Sequence, residues 1–473
     1  MDSHRVAGAP LDFAALRDEL EVPGDFSAAA LADASGAADA RSWMGSAADD
    51  PDGADDIPFV TVDPAGSRDL DQAVHIARTD GGYLVSYAIA DVASFVPPDS
   101  ALDAETQRRG ETLYFPDVRV PLHPPSLSED AASLLPGRSR PAVLWQVGLD
   151  AAGEVTAVDV RRARVRSRAQ LDYPGLQKAM TDGSAPEAVA LLGDVGTLRI
   201  ALARSRHAIN LDLPEQRVEG DAQHGWTLAL RAPLPVELYN AEISLLVGMC
   251  AAKLMLDAGY GILRTVPPAD ARSVKALRRA AHALGVAWPD GAGPGDVLAT
   301  VDRTDGKHVA FIEHAVSLLR GAGYTAFDGA APTQPLHAGI GAPYAHVTAP
   351  LRRLVDRYGS EICLAAQAKA PIPRWVRERM PQLPDTMQLA ERRAHAADRA
   401  VVDMTEAWLL QDRVGQTFTA TVIDADDRAG TVVLDEPAVR ARCEGSHLPV
   451  GEHIDVRLAE ADVSRRIVRF VKS

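Results

Sequence analysis

The sequence predicts an α+β chain in which a large mixed body follows a short helical element and precedes a small five-stranded β-barrel. Three observations carry this prediction. An apolar run, Ile57 to Val62, leads straight into the acidic string Asp63-Pro-Ala-Gly-Ser-Arg-Asp69-Leu-Asp71, and reads as a buried strand entering a turn. The apolar-rich stretch 236–259 reads as a core helix. From Gly415 onward the pattern changes to short runs at 417–423, 430–434, 453–458 and 467–471 separated by polar turns, which suits a barrel of the kind that grips single-stranded nucleic acid.

The first element is a pair of helical patterns, 13–20 and 28–34, separated by Val22-Pro-Gly-Asp-Phe-Ser27, with Ser27 placed to cap the second. Residues 36–56 are rich in Ala, Asp, Gly and Ser and read as a linker, so the expected division is 1–55, 56–413 and 414–473. Behind the acidic string, a Gly81-Gly82 turn and the run 83–90 form a hairpin with the strand before them, ended by Asp91. Glu242 lies near the start of the core helix, where a carboxylate is either a satisfied structural group or a functional one.

A second long helix is expected to start at Pro350, because proline suits the first helical position, with Leu351, Leu354, Val355, Tyr358 and Ile362 on one face. Arg352 and Arg353 would then sit in its first turn, with Thr348 just upstream. Two readings stand: a phosphate cradle of helix amides and guanidinium, or a charge network with Asp356.

Composition narrows the class. With 473 residues, 47% hydrophobic and 24% charged, the chain has the profile of an ordinary globular protein of about three domains. No basic and apolar leader occupies residues 1–10, and the longest apolar run, 243–252, is too short for a bilayer. A cytoplasmic protein without membrane contact, expected to be a monomer, is the default. Cys250, Cys363 and Cys443 are too dispersed for a zinc knuckle or a disulfide framework. The net charge of −16 disfavours nucleic acid unless basic groups are gathered, and arginines do gather at 161–168, at 352, 353 and 357, and at 392, 393 and 399.

On an extended path after the Gly66-Ser67 turn, Asp69 and Asp71 project to one face while Leu70, Val74 and Ile76 are free to be buried. Carboxylates so placed repel unless a cation lies between them, and Mg²⁺ or Mn²⁺ suits oxygen donors that leave positions open for water and phosphate. The alternative is a solvated acidic turn. A calcium loop fits poorly, since Val74 stands where glycine is needed.

Taken together, several strings resemble the ribonuclease II and ribonuclease R family of exoribonucleases from about residue 56 to the C-terminus. They are Thr61-Val-Asp63 with Arg68-Asp69-Leu-Asp71, Ala88-Ile-Ala-Asp91-Val, Arg109-Gly-Glu-Thr-Leu-Tyr114-Phe-Pro, Val120-Pro-Leu-His-Pro-Pro-Ser-Leu-Ser128, and Tyr344-Ala-His-Val-Thr-Ala-Pro-Leu-Arg352-Arg353. The resemblance implies an RNB-type catalytic domain, a C-terminal S1 barrel of the OB-fold type, and metal-dependent 3′-to-5′ hydrolysis of threaded single-stranded RNA to nucleoside 5′-monophosphates. By position it gives Asp63, Asp69 and Asp71 to the metal and Arg352 to the phosphate, with Asp69, Asp71 and Arg352 as the catalytic group. Tyr173 and Tyr114 would stack on bases, and Glu242 would reach the terminal ribose, with Thr348 and Arg353 beside the RNA.

The chain also departs from the family pattern. Gln72 stands where a fourth aspartate is usual, and is expected to coordinate a metal through its amide oxygen with altered metal demand. Ala241 and Leu211 replace a glutamate and an aromatic, and the stretch before residue 56 is too short for the cold-shock barrels common in the family. A more open channel mouth would admit structured RNA with a 3′ overhang. The competing expectation is an RNA-binding regulator with weakened catalysis.

Overall fold

The computed structural model describes residues 11–40 and 53–473, apart from 212–213, 222, 224 and 304. Helix α1 (Phe13–Glu19) is capped by Asp12, whose carboxylate accepts from the amides of Ala14 and Ala15. Helix α2 (Ala28–Ala40) runs further than its pattern suggested. Ala30, Ala34 and Ala37 recur at helical spacing, are buried, and let α2 lie close against α3 (Ala101–Arg109). Residues 36–40 are therefore helical rather than linker, and the acids at 49, 50 and 52 fall outside the described residues. So does the 1–10 stretch read for a leader.

Strands β1 (Val60–Asp63), β2 (Gln72–Thr79) and β3 (Gly82–Ala90) lie side by side, the last two joined by the expected hairpin. Gly82 is required there by proximity, because a Cβ would sit 2.2 Å from the carbonyl oxygen of Leu149. A small hairpin of β4 (Leu113–Tyr114) and β5 (Arg119–Val120) stands apart. Strands β6 (Ser139–Asp150), β7 (Val155–Arg166) and β8 (Ala169–Asp172) complete the six-stranded sheet in the order β7-β6-β3-β2-β1-β8. β8 runs parallel to β1 and pairs Asp172 with Asp63, so the residue after β8 emerges beside the acidic loop.

That residue, Tyr173, opens α4 (Tyr173–Asp182), which Asp172 caps through Gly175. Helix α5 (Leu192–Ser205) and the hairpin of β9 (Glu215–Asp221) and β10 (Gly225–Arg231) lead to α6 (Pro235–Ala258), the core helix. Val236, Ile243, Leu246, Val247, Ala251 and Met255 are buried on several of its sides, as a helix through a core requires. A Cβ on Gly248 would meet the Tyr344 ring at 2.1 Å, so glycine lets α6 press directly on the segment that leads to Arg352.

Pro350 does not begin the next helix. That helix is Leu354–Gln367, and Arg353 before it is extended, at φ −142 and ψ 120. Competition for the backbone explains the shift. Thr112 donates its amide to Arg352 O and Gly110 O accepts from Leu354, while Glu111 bridges Arg353, so residues 110–112 hold the arginines in a strand-like pairing. Arg357 in the helix is fully buried, donating to Asp103 at 2.6 Å and to the Val96 carbonyl at 2.6 Å.

The C-terminal barrel closes as Thr417–Ala425, Ala429–Val433, Arg440–Glu444, Ile467–Lys472 and His453–Asp462. Its third strand shows no apolar run, because only Ala441 and Cys443 point inward between charged neighbours. The long helix Leu383–Leu410 joins the barrel to the body. Its buried Glu406 accepts from the Arg440 amide at 2.7 Å and from Gln216 Nε2 at 2.8 Å, linking helix, β9 and barrel. Among the described residues no helix is long and apolar enough to cross a membrane.

Burial raises the Glu406 carboxyl from 4.5 to about 7. A folded-state value above the unfolded one adds stability that is complete at low pH and is lost as pH rises through about 7. Glu406→Gln keeps an oxygen acceptor without the charge. The variant should gain on the order of 3 kcal/mol over the parent at pH 8 and lose that advantage near pH 4. Chemical denaturation at the two pH values checks this, and an advantage independent of pH would refute it.

Candidate active site

The acidic loop is shaped by one buried residue. Leu70 is inaccessible, its amide accepted by Ser133 Oγ at 3.0 Å and its carbonyl taken by the Leu134 amide at 3.1 Å. Anchored there, the extended chain turns Asp69 and Asp71 away from Leu70, and Val74 and Ile76 are buried as expected.

Asp71 is 3% exposed and joins two distant segments: Oδ1 accepts from the Leu351 amide at 2.7 Å, and Oδ2 lies 3.3 Å from Arg352 Nε. Burial pushes its carboxyl up to about 8, against the pull of Arg352. Asp63, at the end of β1, is raised to about 7, again chiefly by burial, with the negative charge of Asp69 adding to it. Asp69 is ion-paired with Arg119 and accepts from the Tyr114 hydroxyl at 3.1 Å. Tyr114 is 50% exposed, and half of Arg352 is also open to solvent. Tyr173 adjoins Asp63 and accepts a hydrogen bond from Asn240 Nδ2 at 3.4 Å.

Four expectations are corrected. Gln72 is tied to the surrounding protein through both ends of its amide: Nε2 donates to Thr348 O at 2.6 Å and Oε1 accepts from Tyr87 at 2.9 Å. The amide orientation follows from its partner, since only NH₂ can face a carbonyl. Arg353 turns from the site into a two-pronged contact with Asp356, at 2.5 and 2.9 Å, because Asp356 is fully buried and needs a cation. Thr348 is 4% exposed and serves through its carbonyl. Glu242 lies about 200° around α6 from Asn240, by the helical repeat, and from Ser244 likewise. Asn240 and Ser244 contact Tyr173 and Tyr87, whereas Glu242 faces buried Arg199 of α5.

The structure thus arranges Asp63, Asp69, Asp71, Arg352, Tyr114 and Tyr173 around the acidic loop, linked pairwise by the contacts above. Sequence reasoning misses Arg119 and Asn240. Asn240 was discoverable as the residue one helical turn before Ser244 on the face opposite Glu242, while Arg119 gave no signal beyond its place across a hairpin from Tyr114.

The donor set fits a divalent cation. Asp63 Oδ2 is buried with no hydrogen-bond partner, and carboxyls raised by burial require positive charge to ionise near neutral pH. Among the described residues, no three His, Cys, Asp or Glu side chains are grouped so as to hold a metal ion, so an ion here would rest on one or two carboxylates, with water or substrate oxygens sharing the coordination.

The family described as the RNB domain matches residues 54–364, and that described as the RNase II-type exonuclease C-terminal S1 domain matches residues 416–473. The chain is 30% identical over 391 residues to Exoribonuclease 2 of Edwardsiella piscicida, covering 78% of this chain and 58% of that protein. It is 27% identical over 459 residues to Ribonuclease R of Aquifex aeolicus, covering 87% and 63%. Both relatives are thus spanned for only about three fifths of their length. In fold it is similar to Mycoplasma genitalium RNase R in complex with ribose-methylated single-stranded RNA, at TM-score 0.85 and 18% identity over 98% of this chain and 77% of that one. Yeast Ssd1, a pseudonuclease, shares the fold at TM-score 0.70 and 17% identity over 87% and 52%. With its RNB domain followed by an RNase II-type S1 domain, the chain belongs to the RNB-domain family of RNase II-type proteins.

Proposed function

We propose that this protein is a processive 3′-to-5′ exoribonuclease that threads single-stranded RNA and releases nucleoside 5′-monophosphates with Mg²⁺ or Mn²⁺. One observation carries the reading: buried Asp71 holds half-exposed Arg352 beside a loop that also carries Asp63 and Asp69. Arg352 presents a guanidinium with an exposed edge, the geometry that stabilises charge on the non-bridging oxygens of a phosphodiester. Asp63, Asp69 and Asp71 are the residues that would hold a divalent ion, which when bound would supply a water of lowered pKa and a counter-charge for the leaving oxygen. Asp71 fixes the arginine in place, and Tyr114 and Tyr173 offer rings on two sides of the acids. Stacking serves every base alike, which suits movement along RNA of any sequence.

The arrangement also divides binding from chemistry. Tyr114 holds solvent-exposed surface on the small hairpin, whereas Asp71 is sealed beneath the arginine loop. A 3′ overhang on structured RNA fits the same reading, as do a monomeric state and a cytoplasmic location. One observation favours the regulator reading: Asp69 already carries a protein counter-charge in Arg119, which weakens its claim on a metal.

Asp71→Asn should lower turnover of a 5′-labelled oligoribonucleotide by about 10²–10³-fold while leaving its dissociation constant within about twofold. Stepwise ladders on a gel and fluorescence anisotropy measure the two, and turnover near the parent rate would sink the assignment. Tyr114→Ala should weaken RNA binding by about 1–3 kcal/mol, and Tyr114→Phe should restore most of it. Equal losses in both variants would place the effect in the hydroxyl contact to Asp69 rather than in stacking.

A further inference from the structure

Resting on the reading of Arg352 as the group that meets the phosphate, we propose that His123 is a positioning residue for the reaction. Its ring N–H fixes the backbone from which Arg352 projects.

His123 is 2% exposed, and its Nδ1 lies 3.1 Å from the carbonyl oxygen of Leu351, the residue before Arg352. A carbonyl can only accept, so Nδ1 carries the proton. Burial holds the ring's pKa down at about 4, against the pull of that carbonyl. Near neutral pH the imidazole is therefore uncharged and has this one N–H to give.

The direction of the Arg352 side chain is set by the two planar peptide units that flank its Cα. In the first, Leu351 O accepts from His123 and the Arg352 amide donates to Ala349 O at 3.2 Å. In the second, Arg352 O accepts from the Thr112 amide at 2.9 Å and the Arg353 amide donates to Ala349 O at 2.9 Å. With both planes held, the guanidinium is delivered to Asp71, which also takes the Leu351 amide. Of these partners of the two planes, His123 is the one that acts through its side chain, so it is the contact that residue type controls.

The histidine is itself built into place. Arg109 Nη1 donates to Pro121 O at 3.2 Å, the Leu122 amide to Thr112 Oγ1 at 3.0 Å, and Ser128 Oγ to His123 O at 3.2 Å. Thr112 therefore serves both sides: its hydroxyl ties the histidine segment and its amide ties Arg352. A buried carbonyl deprived of its donor turns toward another, and Arg352 would turn with it.

Asparagine carries an N–H where imidazole has Nδ1, glutamine where it has Nε2, and leucine carries none. With the purified full chain and a labelled oligoribonucleotide, His123→Asn should keep kcat within about threefold of the parent, whereas His123→Leu and His123→Gln should lower it about 10–100-fold with KM within about twofold. Circular dichroism reports that the variants are folded. Equal losses in His123→Asn and His123→Leu would overturn the inference. In an Arg352→Ala background, followed under single turnover, His123→Leu should cost less than about twofold more, and the full loss persisting there would also overturn it. Hydrogen exchange of residues 349–356 reads the loop without RNA, and should be faster in His123→Leu than in the parent or His123→Asn. Faster loop exchange with unchanged kcat would remove Arg352 from the chemistry and leave the positioning intact. Unchanged exchange in folded His123→Leu would sink the positioning whatever the parent does to RNA.

Discussion

The site depends on one buried carboxylate. Asp71 connects chain segments 280 residues apart through the Leu351 amide, and it does so where solvent is excluded. An ionised carboxylate in that position is stable only with donors and cations around it, so the arginine loop has to be there for the acidic loop to fold as it does. The dependence runs in both directions. Arg352 owes its orientation to Asp71, and Asp356, seven residues beyond Ala349, fixes the same loop by accepting the Ala349 amide at 2.7 Å and both prongs of Arg353.

Around that link the rest of the fold acts as bracing. Gly248 brings α6 against the strand entering the arginine loop, and buried Arg357 pins the following helix to α3. On the open side, α1 joins elements that would otherwise meet only at a distance. Phe13 packs edge-on against Trp226 at 5.3 Å, Arg17 grips the small hairpin, and Glu19 takes Arg466 of the barrel with both oxygens. A seven-residue helix has little stability of its own, so these contacts supply it, and in return they steady the hairpin that presents Tyr114 and Arg119.

The legibility of the sequence followed the range of the interactions. Strands and the core helix were readable because burial imposes a period on neighbouring residues, and the spacing of Asp69, Leu70 and Asp71 determined their alternation. Pro350 misled because its preference for a helix start is local, and pairing with residues 110–112 overruled it. Gln72 and Arg353 misled for a related reason: their partners, Thr348 and Tyr87 for one and buried Asp356 for the other, determine whether a polar group is available. Arg119 was invisible since its role arises from a hairpin folded across the acidic loop. Residue type identified who could take part in the chemistry, and tertiary pairing decided who was free to do so.

Pairing also resolves the apparent conflict between an acidic chain and an anionic substrate. The arginines in and just after β7 do not form a free basic strip: Arg162 is shared by Asp91 and Glu361, Arg166 lies 3.7 Å from Asp55, and Arg168 donates to the Asp55 carbonyl. Arg357 is buried with Asp103 and Arg353 with Asp356. Arg352 keeps an exposed edge, and a cleft beside Leu20 and the long helix is lined by Arg392, Arg399 and Arg466 with Asp403, Arg466 being paired with Glu19. The net charge of −16 therefore describes the whole surface and not the site. What governs approach of a phosphate is the small number of guanidiniums whose acids leave an edge uncovered, and at the acidic loop Arg352 is the one that combines a buried carboxylate anchor with an open face.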